Sequence, residues 1–126
     1  MVVSGRAGDG PLDELSTLGE TRVAEFHHER GFHVSTIDPS NFPIQTARVA
    51  DLAGGDCRTN AGLIEDLLAG RDRGPRRDAV LLNAGAALFL AGRARTVTEG
   101  WELAEATIDS GAASRKLAQL REPLPG

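Results

Sequence analysis

Cysteine is almost absent from this chain. Cys57 stands alone among 126 residues, which excludes an intrachain disulfide and any multi-cysteine metal site. No Cys–His nucleophilic arrangement surrounds it, so a small residue in the first turn of a helix is its simplest role. Long apolar runs are missing too, and nothing approaches the ~20 residues of a membrane span. The opening MVVSGRAGDG has too short an apolar stretch for a signal peptide, so the expected compartment is the cytoplasm, with no membrane partner. Positive charge is not in excess. The formal net charge of −4 gives no basic footprint, so no nucleic-acid partner is expected. The local exception is Arg71, Arg73, Arg76 and Arg77. They flank a helix start that could hold a phosphate, but a solvated inter-helix loop accounts for them more simply.

What is present reads as an ordinary globular chain. At 40% hydrophobic and 25% charged residues it is too apolar for wholesale disorder and fits one domain able to bury a core. The clearest stretch runs from Gly54 to Leu88. Asp56 stands where an N-cap belongs and Gly70 where the helix must stop. Gly74-Pro75 then opens a second helix with proline in the first turn, where a missing N–H costs nothing. That helix, 78–91, is apolar nearly all round and must lie inside a larger body.

Before this block, Met1 to Ser4 reads as a short strand closing on Gly5, and GRAGDGP as a loop by composition. Thr21 to Phe26 and Phe32 to Ile37 alternate around His27-His28-Glu29-Arg30-Gly31, a β-hairpin pattern. Pro43 makes a helix there improbable. The expected helices cover 46–52, 57–69, 78–91, 97–109 and 112–121, with capping-box spacing between Thr96 and Glu99. Pro123 and Pro125 fall beyond any helix. The chain thus divides into 1–45 (strand, carboxylate loop and hairpin), 46–122 (helical) and a tail at 123–126. The helices are there but too few strands are present to cover 78–91, whereas a parallel sheet is normally covered on both faces. The fold class is therefore α/β, and the piece belongs to a larger domain.

Only Asp13-Glu14 has the character for a reaction. Two adjacent carboxylates on a glycine-rich loop are oxygen donors for a hard divalent cation, and magnesium is commonly held by one or two carboxylates plus substrate phosphates. Neighbouring side chains in an extended segment point apart, so the pair could touch two ions instead of chelating one. On spacing alone, such a pair is more often plain solvated charge. His27, His28 and His33 lack a cysteine or carboxylate cluster and read as exposed turn residues. Trp101 reads as a core anchor. Asn83, a polar residue in the apolar helix, needs partners and is expected to tie its helix to the loop before it. Ser110 and Ser114 have no base nearby in sequence.

The segments Gly10-Pro11-Leu12-Asp13-Glu14-Leu15-Ser16, Thr21-Arg22-Val23-Ala24-Glu25, Asp38-Pro39, Gly54-Gly55-Asp56, Asn60-Ala61, Gly74-Pro75-Arg76-Arg77-Asp78, Leu82-Asn83-Ala84 and Asp109-Ser110-Gly111 stand in one order. In that order the chain resembles the C-terminal portion, roughly the last third, of anthranilate phosphoribosyltransferases. The resemblance implies an incomplete C-terminal part of a phosphoribosyltransferase/nucleoside-phosphorylase-like α/β domain, with short strands and a hairpin followed by four to five helices. It also implies that Asp13 and Glu14 bind the magnesium ions accompanying 5-phosphoribosyl diphosphate, Glu14 serving both metals and Asp13 one. Gly54-Gly55-Asp56 is a turn and cap, not the family's phosphate-binding GTGGD loop. Ser4 replaces a usual histidine and Pro43 a usual glycine. The family's N-terminal helices, GTGGD loop, ribose-phosphate segment and anthranilate-binding arginine have no counterpart here.

The resemblance implies a transferase of tryptophan biosynthesis that moves phosphoribosyl to anthranilate, with negligible activity expected of this chain alone. A missing N-terminal portion or a homo-oligomer would be its protein partner. Two alternatives remain open at this point: a non-catalytic helical module that binds a partner, and a relative of pyrimidine nucleoside phosphorylases. The Asp-Glu pair and the RRD…LLNA block argue against the latter.

Overall fold

The computed structural model describes residues 1–28 and 31–122. Its strands come first: β1 (Val2–Ala7), β2 (Gly10–Leu12), β3 (Thr21–His27) and β4 (Gly31–Ile37). They form one sheet in the order β2-β1-β3-β4, antiparallel at every junction.

The stretch expected to be a loop at 5–11 is instead the second half of β1, a turn and most of β2. Gly8 turns the chain at φ +60°, a conformation glycine adopts without steric cost. Gly5 is paired on both sides, with Leu12 and with Thr21. A Cβ there would lie 2.5 Å from the Glu14 carbonyl oxygen. These glycines serve a tight hairpin and a close backbone crossing, and composition alone reads as looseness. The expected hairpin at 21–37 is present, with Phe26 opposite Phe32 and Val23 opposite Ser35; residues 29 and 30 at its tip lie outside the described residues.

Helices α1 (Val49–Leu52), α2 (Cys57–Leu68), α3 (Pro75–Leu90), α4 (Val97–Asp109) and α5 (Ala112–Leu120) follow. Asp56 caps α2 by accepting from the Thr59 N–H at 2.8 Å, and Gly70 ends it at φ +73°. Gly74 and Pro75 open α3 three residues before the expected start at 78. The helix expected over 46–52 shrinks to one turn: Arg48 stays extended while Asp51 accepts from its N–H, and Gln45 is held by Asp78. Thr96 caps α4 through the Glu99 N–H, but the Glu99 carboxylate accepts from Arg95, so the capping box is half formed. The tail at 123–126, with Pro123 and Pro125, lies outside the described residues.

Val23, Leu15, Leu67, Leu81, Leu82, Ala86, Trp101, Ala104 and Ile108 form the core, with Val3 and Ile37 packed against it from the same sheet face. Trp101 is buried as expected, its ring 5.8 Å from that of Phe42. Helices α3 and α4 touch backbone to backbone, since a Cβ on Gly85 would sit 2.6 Å from the Trp101 nitrogen. Helix α3 is nevertheless not enclosed. Leu81, Leu82, Gly85 and Ala86 are buried, whereas Val80 is 38% and Leu90 53% exposed. Ile64 of α2 is likewise 50% exposed, so the strands of this chain leave apolar helix surface uncovered. Among the described residues no helix is long and apolar enough to cross a membrane.

Candidate functional site

Asp13 and Glu14 sit directly after β2, on a turn that the rest of the chain holds from three sides. Beneath it runs Gly5, whose missing side chain lets the Glu14 carbonyl cross β1. Beyond it, the Ser16 N–H donates to Thr21 Oγ1 at 2.9 Å, and the Ser16 hydroxyl donates to the Arg6 carbonyl and accepts from the Leu18 N–H. From α3, Asn83 grips the next peptide with both ends of its amide. The Leu15 N–H donates to Asn83 Oδ1 at 2.9 Å, and Asn83 Nδ2 donates to the Leu15 carbonyl at 2.9 Å and the Ala79 carbonyl at 3.0 Å. Leu15 itself is a core residue.

The turn is therefore fixed while its two carboxylates stay exposed. No hydrogen bond or ion pair engages either one among the described residues. That is the donor set a hydrated magnesium ion needs: free oxygens on rigid backbone, in a number that leaves coordination positions for phosphate and water. No group of three or more His, Cys, Asp or Glu side chains stands ready as a complete ligand cage among the described residues. The two carboxylates would thus share any ion with a substrate.

An open cleft of about 650 Å³ lies beside the turn. Leu63, Ile64 and Leu67 of α2 and Ala79, Val80 and Ala84 of α3 form its apolar walls. Glu14, Asn60, Arg76 and Asn83 supply the polar groups; Asp13 is not among the lining residues. The two carboxylates thus differ in what they face, although both sit on a bend and not in the extended segment expected from the sequence. Asn60 is committed to the turn before α2, accepting from the Gly55 N–H at 2.8 Å and donating to its carbonyl at 3.0 Å. A Cβ on Gly54 would collide with this amide at 2.5 Å, so Gly54-Gly55-Asp56 is the clasped turn and cap that the sequence implies.

The arginine cluster is only in part the solvated loop expected from the sequence: Arg71 and Arg73 are mostly exposed, whereas Arg77 is not. Arg77 is 3% exposed and reaches across to α4, meeting Asp109 at 2.8 Å and Glu105 at 3.5 Å. Arg73 also meets Asp109, Arg71 meets Asp66, and Arg76 donates to the Ala53 carbonyl. Of the four, Arg76 lines the cleft, and its Nε has no hydrogen-bond partner among the described residues. Asn83, expected to hold the loop before its helix, instead holds the carboxylate turn 68 residues away in sequence. The signal for that role was visible, a lone amide in an apolar helix, but not its destination.

His28 and His33 are exposed, but His33 lies within β4 opposite Glu25 and not in the turn expected for it; the His27 side chain lies outside the described residues. Cys57 is exposed at the start of α2. The Ser110 hydroxyl donates to the Thr107 carbonyl as part of the α4 terminus, a local bond and no nucleophile arrangement.

A glycosyl transferase family, a/b domain, model matches residues 1–114. Over 113 residues the chain is 47% identical to the anthranilate phosphoribosyltransferase of Methanocorpusculum labreanum, covering 90% of this chain and 32% of the relative. The same enzyme of a Geobacter species is 43% identical over 113 residues, with 90% and 32% covered. The crystal structure of the Thermus thermophilus enzyme superimposes with a TM-score of 0.76 at 38% identity, covering 89% of this chain and 32% of that one. The Saccharomyces cerevisiae enzyme in complex with 4-fluoroanthranilate gives 0.77 at 29% identity, covering 92% and 33%. The chain thus spans about a third of the length of the curated relatives it matches. It belongs to the glycosyl transferase family through its a/b domain, and what it matches there is one part of an anthranilate phosphoribosyltransferase.

Proposed function

We propose that this chain is the C-terminal, metal-carboxylate part of an anthranilate phosphoribosyltransferase, in which Asp13 and Glu14 hold magnesium against 5-phosphoribosyl diphosphate. The observation that carries the reading is the free carboxylate pair on a turn clamped by Asn83 and crossed by Gly5. When bound, magnesium would neutralise charge on the departing diphosphate. Glu14, facing the cleft, would orient the donor from the cleft side, and Asp13 would hold the outer side of the same ion cluster. Asn83 keeps both at fixed distance from α3 without touching the substrate.

Transfer to anthranilate also needs the acceptor amine held at the ribose carbon, and such reactions gain mostly from positioning. Of the arginines around the helix start, Arg73 and Arg77 are paired with Asp109, and Arg76 on the cleft does not by itself make an acceptor site. The chain by itself therefore binds metal with donor but turns over negligibly, and the remaining part of the fold would supply the acceptor site.

The experiment is calorimetric titration of magnesium with 5-phosphoribosyl diphosphate into the chain, its Asp13→Asn and its Glu14→Gln variants. Mixing with the remaining two thirds of a relative then tests whether anthranilate is consumed. Metal-dependent donor binding lost in both variants, and transfer only in the mixture, is the expected result. Unchanged binding in both variants, or enzyme-like turnover by the chain alone, refutes the assignment. A second reading, a partner-binding helical module without catalysis, is favoured by the exposed apolar walls at Ile64 and Val80. It predicts no metal-dependent donor binding.

A further inference from the structure

The sheet has a second face, turned away from the helices, and it carries a pocket of its own. Val3, Val23 and Ile37 pack toward the core, so the residues next to them along each strand point the other way. The register places Ser4 of β1, Arg22 of β3 and Thr36 of β4 in one row across that outer face. Arg6 follows Ser4 two residues along β1 and stands diagonal to Arg22, a spacing of about 7–8 Å. Together with Asp9 in the β1–β2 turn and Glu20 just ahead of β3, these side chains line a concave pocket of about 660 Å³. Both arginines are exposed, and no side-chain hydrogen bond or ion pair engages Arg6, Arg22, Asp9 or Glu20 among the described residues.

We propose that this pocket binds a phosphorylated sugar or polyol, with the phosphate on Arg6 and Arg22 and the hydroxyls on Asp9 and Glu20. Two guanidiniums held on one face without a counter-ion repel each other, and an anion that bridges them removes that cost. A phosphate ester, with about −1.5 to −2 charges at neutral pH, matches the pair; a single carboxylate leaves one cation over. The Ser4 and Thr36 hydroxyls flank Arg22 on either side and can donate to the remaining phosphate oxygens. Ionised Asp9 and Glu20 only accept, so the rest of the ligand must donate, and a bare phosphate would meet two like charges with nothing to offer them. Sugar hydroxyls supply those donors without adding charge. The pocket shares no lining residue with the cleft and contains neither Asp13 nor Glu14, so the inference stands apart from the metal-site reading.

Calorimetric titration of glucose 6-phosphate into the full chain tests it, with a chelator present to keep divalent cations off the carboxylate turn. Glucose and inorganic phosphate, the two halves of the probe, are titrated alongside. Saturable binding of glucose 6-phosphate is expected, with each half at least about tenfold weaker. Arg6→Gln and Arg22→Gln should each raise the dissociation constant about tenfold or more, while Asp13→Asn leaves it unchanged. Glu20→Gln, which removes a like charge facing the phosphate, should narrow the gap between glucose 6-phosphate and inorganic phosphate. Every substituted side chain is exposed, and far-UV circular dichroism checks that the fold is kept. The proposal is overturned by absence of saturable binding, by inorganic phosphate binding as tightly as the sugar phosphate, or by affinity that survives both arginine variants. Loss of binding in Asp13→Asn would overturn it too, by moving the ligand to the carboxylate turn.

Discussion

Removing the Asn83 amide is the sharpest test of how the carboxylate turn is held. In Asn83→Ala the Leu15 N–H and C=O lose their partners, while the Ala79 carbonyl keeps its place in the helix. Leu15 is 3% exposed, so both orphaned groups are largely shut off from water, and an unsatisfied buried group costs about 1–3 kcal/mol. The cleft beside Asn83 lets water approach from one side, which places each loss near the lower bound. Alanine's better helix propensity returns about 0.5 kcal/mol. The net expectation is about 1.5 kcal/mol by urea denaturation, or a thermal midpoint lowered by roughly 6 °C. Asn83→Asp should not rescue it, because a carboxylate oxygen would then face the Leu15 carbonyl. The same variant should weaken metal binding although neither carboxylate has been touched. A loss of stability under about 0.5 kcal/mol would show that the clamp is incidental and the turn is held elsewhere.

Other consequences follow from the packing. Gly100→Ala places a Cβ inside the Gly85 carbonyl, with only backbone to give way; it should cost at least about 3 kcal/mol in thermal or urea unfolding. Gly62→Ala, with open space around its Cβ, should instead stabilise by up to about 1 kcal/mol. At the α3–α4 ion pair the two partners should be unequal. Arg77→Met removes a buried cation whose Nη1 has no hydrogen-bond partner among the described residues, so the cost should stay under about 1 kcal/mol. Asp109→Ala strands that cation with Glu105 at 3.5 Å and should cost about 2–3 kcal/mol, discounted because Asp109 is itself partly exposed; equal costs in urea titrations would contradict the asymmetry. Asp56 is held below the usual carboxylate range mainly by the Thr59 N–H, and Glu99 by the Arg95 N–H. Folded-state values below the unfolded ones give stability that is complete above roughly pH 4–5 and lost as pH falls through the depressed values. Asp56→Asn keeps the cap without the titrating group, so its stability should fall less steeply from pH 5 to pH 3.

What was legible in the sequence was local. Thr96 and Ser110 bracket α4 at the residues where the structure ends it, and Asp56 with Gly70 brackets α2 within a residue, because caps act on their own turn. The hairpin was equally plain, since alternation reports which side of a strand meets a core. What stayed hidden depends on residues far apart in the chain. Arg77 looks like loop charge until Asp109, 32 residues on, is brought beside it. Gly5 looks like flexibility until the Glu14 carbonyl is seen to cross it. The carboxylate pair was identifiable by residue type, yet the amide that orients it was not, since Leu15 and Asn83 meet only after the sheet and α3 have packed.

Helix α3 divides the candidate site into parts with different dependence on anything outside the chain. Every bond that fixes the carboxylate turn is internal: Gly5 below, Thr21 and Arg6 beside, Asn83 above. The turn is therefore preorganised whether or not the cleft is filled. The cleft is not, because Val80 and Ile64 face solvent and nothing in the described residues sets its far wall. Metal-dependent donor binding should survive in the isolated chain, and phosphoribosyl transfer should not. If a partner that fills the cleft restores transfer, metal affinity should change little, since the proposed ligating turn was already in place. A large rise in metal affinity on mixing would mean that the partner builds the turn, and the internal clamp would lose its role in the argument.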